Sequence, residues 1–171
     1  MSNKTYILII ILLTAGIFAY ISWSESRNIR GHQELESVTA TYNTPQTVQR
    51  IKNILEEKEI PLMAEIDYAA AARGSTREIR PSVLLIFGKE AANSYLISKN
   101  PEIAAALPLK ILVWEGDDSI TRISFVKTAL TAQRYKMQGE PMFDDLDSLL
   151  NDIAAQASAK EEANNINVIT E

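Results

Sequence analysis

Residues 83–87, VLLIF, constrain the fold more than any other part of the chain. Five apolar residues follow one another without polar alternation, and Gly88 ends the run. A strand with one face in water carries a polar residue at every second position. This run therefore predicts a central strand covered on both faces. Gly88 permits a tight exit into a following helix. The stretch fits a chemical loop poorly. A phosphate cradle converges consecutive backbone N–H groups and uses several glycines, whereas Gly88 stands alone with Lys89 directly after it. A nucleophile elbow needs serine, cysteine or aspartate at the turn, and this turn reads Phe-Gly-Lys-Glu.

The neighbouring elements follow from punctuation and period. Leu35, Val38, Ala40 and Tyr42 suggest a first strand with imperfect alternation. Thr44 is the expected helix cap, with Pro45 in the first helical position. Val48, Ile51, Ile54 and Leu55 form that helix's apolar stripe. Leu62, Ala64 and Ile66 alternate as a second strand. An alanine-rich short helix then ends at Gly74. After the central strand comes a helix with Ala92, Tyr95 and Leu96 on its buried side, interrupted at Pro101. Residues 109–115 read as a fourth strand and 119–126 as a fifth. Gly116, Asp117 and Asp118 form the turn between them, where glycine and aspartate tolerate unusual dihedrals. A helix is expected from Lys127. Leu146, Leu149, Leu150 and Ile153 mark a firm final helix whose positive end favours Asp144, Asp145 and Asp147. Strand and helix do not alternate throughout, so the fold class is α+β: a five-stranded, mostly antiparallel sheet with helices packed on it. Helices from one small domain leave one face of such a sheet open, which suggests a homodimer that buries it.

Ahead of the domain, residues 6–23 carry no charge. As a helix they would span about 27 Å at 1.5 Å per residue, close to a bilayer's hydrocarbon thickness. Tyr6, Ile10, Phe18 and Trp23 are the candidate membrane residues, and Tyr20 and Trp23 fall where an interfacial aromatic belt would lie. An uncleaved anchor in the cytoplasmic membrane, with the domain outside the cytoplasm, competes with a cleavable secretory signal. The long apolar run and the poor cleavage site at Ser22 and Ser24 favour the anchor. The expected organisation is an anchor or signal over 1–24, a polar stalk over 25–36, one domain over 37–158 and a flexible tail over 159–171.

Composition narrows the chemistry. The chain of 171 residues has a formal net charge of −5, which argues against nucleic-acid binding. It has no cysteine, and its one histidine, His32, precedes the domain. Thiolate chemistry, histidine metal sites and a catalytic triad are thereby excluded from the domain, and no cofactor is expected. Arg73, Arg77 and Arg80 lie before the central strand and could grip a carboxylate or phosphate, or pair with Glu65, Asp67 and Glu78. Lys110 interrupts an apolar strand that Trp114 and Glu115 end. The candidate ligand-binding set is Asp67, Tyr68, Arg80, Lys110 and Glu115; no catalytic residue and no metal ligand is assigned. A non-enzymatic ligand- or protein-binding module is the leading reading. The alternatives are an enzyme in which Asp67, Arg80, Lys110 and Glu115 converge, and a structural protein acting through a dimer face.

Asp67 closing a strand, the alanine-rich turn through Ala72, Arg80-Pro81, and Phe87-Gly88 occur in that order. Leu107-Pro108-Leu109-Lys110 and then Leu112-Val113-Trp114-Glu115 follow. Together they resemble the bacterial and archaeal domain-of-unknown-function 302 family, over about residues 39–134. The resemblance implies a compact α+β domain with an antiparallel-type sheet, often dimeric, and brings no reaction to carry over. The sequence departs from the family pattern at Tyr68, where histidine is usual, and at Lys89 and Glu90, where asparagine and proline are usual. It departs again at Ala105 and Ala106, where an aspartate commonly precedes the Leu-Pro pair. A ligand or metal set built on those polar residues would be incomplete here, which favours binding or structural roles over catalysis.

Overall fold

The computed structural model describes Thr14 and residues 35–74, 76 and 78–160. The expected anchor apart from Thr14, most of the stalk, Ser75, Arg77 and the tail from residue 161 lie outside the described residues. Among the described residues no helix is long and apolar enough to cross a membrane.

The chain enters through β1 (Leu35–Thr39) and turns into α1 (Thr44–Glu57). The cap of α1 is Asn43 rather than Thr44: Asn43 Oδ1 accepts from the Gln46 N–H at 3.0 Å. Thr44 is already helical and buried, its hydroxyl 3.4 Å from that of Thr121. Then come β2 (Leu62–Asp67), the single-turn α2 (Tyr68–Ala71) and β3 (Ser82–Phe87). α3 (Glu90–Lys99) is separated by Asn100 from a 3₁₀ turn at Pro101–Ala105, where proline forbids continuation. Leu96 and Ala92 face inward from α3, but Tyr95 is exposed, its hydroxyl donating to Glu140 at 3.2 Å. β4 (Leu109–Glu115) and β5 (Thr121–Val126) form a hairpin, followed by α4 (Thr128–Arg134) and α5 (Met142–Ser158). Within the hairpin turn the positive φ belongs to Ser119, not to an aspartate. Gly116 is required for space instead, since a Cβ there would run into Arg122 and Asp118.

The five strands form one sheet in the order β1-β5-β4-β3-β2, with β2–β3, β3–β4 and β4–β5 antiparallel. Register assigns every side chain to a face. Val83, Leu85 and Phe87 of β3 share one face with Leu109, Ile111 and Val113 of β4, and all six are buried. Ile123 and Phe125 of β5 extend this layer. α1 and α5 pack against each other over it, contributing Ile51, Leu55, Leu150 and Ile153. Arg50 of α1 ties the two together by donating to the carbonyls of Gln156, Ala157 and Ala159 at 3.1–3.2 Å, which satisfies the end of α5. No described element covers the other face of the sheet, so the expectation that VLLIF is covered on both sides holds only on the helix side. Leu84 and Ile86 are half-buried.

Candidate functional site

The open sheet face is a surface the core does not use. Ile66 and Ala64 of β2 stand opposite Leu84 and Ile86 of β3. Leu84 and Ile86 stand in turn opposite Leu112 and Lys110 of β4, and Ser82 opposite Trp114. Leu112 and Trp114 then face Ser124 and Arg122 of β5. The result is an apolar band across the middle strands, widened by Val126, which is 48% exposed.

The larger polar groups on this face are satisfied locally. The Trp114 indole donates to Ser124 Oγ at 2.9 Å, and that hydroxyl is also 2.8 Å from Ser37 Oγ. Arg122 donates to both oxygens of Asp118 at 2.9 and 2.5 Å and to the Ile120 carbonyl at 3.1 Å. Its guanidinium carbon lies 5.4 Å from the centre of the Trp114 ring, within cation–π reach. The Arg122 hydrogen bonds, with help from the Ile120 N–H, hold the Asp118 carboxyl far below the usual carboxylate range. At the other end of β4, Lys110 bends to the carbonyls of Ala106 and Pro108 at 3.2 and 3.0 Å. Partial burial lowers its pKa. Leaving a polar group unpaired on burial costs more than an ordinary hydrogen bond returns. A face whose polar groups already have partners avoids that penalty when something covers it.

The candidate ligand residues are scattered. Asp67 ends β2 and caps α2, accepting from the Ala70 N–H at 2.8 Å. Tyr68 is the exposed first residue of α2. Arg80 pairs with Glu115 at 3.4 Å and Asp117 at 3.3 Å, not with Glu65, Asp67 or Glu78; Glu65 is taken by Lys52 at 2.8 Å. Lys110 and Glu115 sit five steps apart on one strand, about 17 Å at 3.3–3.4 Å per residue, and on opposite faces. The structure therefore brings Arg80 and Glu115 together and keeps Lys110 away from them. Asp67 lines a groove of about 410 Å³ with Lys52 and Arg73, while Lys110 lines a separate one of about 180 Å³. The four charged groups of the enzyme reading do not converge.

A family model described as "Domain of unknown function DUF302" matches residues 36–157. The chain belongs to the DUF302 family. The crystal structure of an uncharacterized conserved DUF302 protein from Bacillus stearothermophilus has the same fold, with a TM-score of 0.63 at 15% identity. The match covers 72% of this chain and 98% of that one, so the solved chain consists almost entirely of this domain. No curated protein matches the chain.

Proposed function

We propose that this DUF302 chain is a non-enzymatic assembly module, anchored in the cytoplasmic membrane by residues 6–23, whose open sheet face docks a second copy of the chain. One observation carries the reading: the face is apolar in the middle, and its larger polar groups, Lys110, Trp114, Arg122 and Ser124, already have partners. Such a surface suits burial against another protein better than capture of a small polar ligand, which needs unpartnered groups to hold it. Two twisted sheets can stack through such faces about 10 Å apart. A twofold axis between the sheets and perpendicular to the strands sets the Lys110 end of one copy against the acidic hairpin of the other, which carries Asp117 and Asp118. Anchoring supports the same reading, because confinement to a membrane raises the effective concentration of copies.

Sedimentation equilibrium of residues 35–160 tests it. The expected result is a dimer that Leu112→Asp converts to monomer, because a carboxylate would be buried unpaired at the centre of the face. A native domain that stays monomeric at high concentration refutes self-docking. If Leu112→Asp abolishes capture of a different protein by such a monomer, the face remains a docking surface with another occupant.

A further inference from the structure

A second surface lies on the opposite, helix-covered side of the sheet and goes beyond the docking reading. A cavity of about 310 Å³ opens there, walled by Ile60, Ala92, Leu109, Leu146 and Leu149. Its polar lining is uneven. Lys58 is committed to Asp152 at 2.6 Å. Asp145 lies in the first turn of α5, where the helix dipole favours a carboxylate. Lys89 and the side-chain amide of Asn93 have no hydrogen-bond or ion-pair partner among the described residues. Lys89 also occupies the cap position of α3 without a side-chain cap bond. Gly88 adjoins them in the wall, where a Cβ would make only ordinary contacts, 3.4 Å from Asn93 Nδ2 and 3.6 Å from Pro108 Cβ. The free donors of the cavity thus belong to Lys89 and Asn93, because Lys58 is already neutralised by Asp152.

We infer that this cavity binds a small amphiphilic carboxylate, with its alkyl or aryl tail among Ile60, Ala92, Leu109, Leu146 and Leu149 and its carboxylate on Lys89 and Asn93. Apolar burial would supply most of the affinity, and the charge-assisted hydrogen bond would select the headgroup.

Calorimetric titration of residues 35–160 with octanoate, octanol and octylamine tests the assignment, because the three probes share a tail and differ in the head. Octanoate should bind tightest. Lys89→Met should weaken octanoate by about tenfold or more and leave octanol unchanged. Ala92→Phe, which fills the cavity, should abolish octanoate binding while circular dichroism stays native. The inference is overturned if folded native protein does not bind octanoate, or if octanol or octylamine binds as tightly. It is equally overturned if either folded variant keeps native octanoate affinity.

Discussion

The two faces of the sheet are built from the same strands, residue by residue, yet they do different work. On β4, Ile111 and Val113 are fully buried under the helices, while Leu112 between them is only half-buried on the open side. The comparison separates what holds the monomer together from what the helices leave open. Truncation should expose the difference sharply. Ile111→Ala removes packed methylenes and leaves a cavity, so it should cost about 2–5 kcal/mol in urea denaturation. Leu112→Ala should cost well under that in the isolated domain, because much of its surface is already in water. Equal losses from the two variants in a monomer would mean that the open face is packed in solution.

A smaller effect tests how the helix layer is fastened to the strands. Asp147 sits half-buried on α5, and its Oδ1 accepts both from the Thr128 N–H at 2.6 Å and from the Thr128 hydroxyl at 2.7 Å. It thereby caps α4 from another element, where Lys127 provides no side-chain cap bond. Asp147→Ala strands a buried backbone donor, so a loss of about 1–3 kcal/mol is expected in the same denaturation experiment. A neutral result would show that water can replace the carboxylate there.

Local rules made the elements legible. Pro45, Pro101 and the stripe of Leu146, Leu150 and Ile153 act within a few residues, and helices stand where they indicate. Competing local solutions explain the misses. Asn43 and Thr44 can each cap a helix, and only the buried contact of Thr44 with Thr121, distant in sequence, decides between them. The continuous apolarity of VLLIF signals that both faces avoid water but cannot say what covers each. Asp147 looked like one more acid near a helix start; nothing local connects it to Thr128. For the candidate site, part of the answer was available beforehand. Lys110 and Glu115 fall on one strand by sequence pattern, and five residues of strand are too long for their side chains to meet. The pairing of Arg80 with Glu115 and Asp117 was not available, because it depends on β3 lying antiparallel to β4.

The smallest effect concerns the clamp at the rim of the open face. Arg122 lowers the pKa of Asp118 from its ordinary 3.8, so the folded state prefers the carboxylate more than the unfolded state does. A depressed carboxyl contributes stability that is complete above the unfolded pKa and is lost as pH falls through the folded one. The native domain should therefore lose stability on acidification from about pH 4 downward, and Asp118→Asn should flatten that part of the curve. The residual slope belongs to other carboxyls, including Asp152, which Lys58 and then Gln156 lower in the same direction. The helix face has no stake in this clamp, but the open face does. Arg122 lies against Trp114, and without Asp118 it would enter an interface with its charge unpaired. Asp118→Asn should lose that contribution to urea stability at neutral pH and should also weaken self-association there by a modest factor. A variant that loses stability without losing association would place the clamp with the fold rather than with the open face.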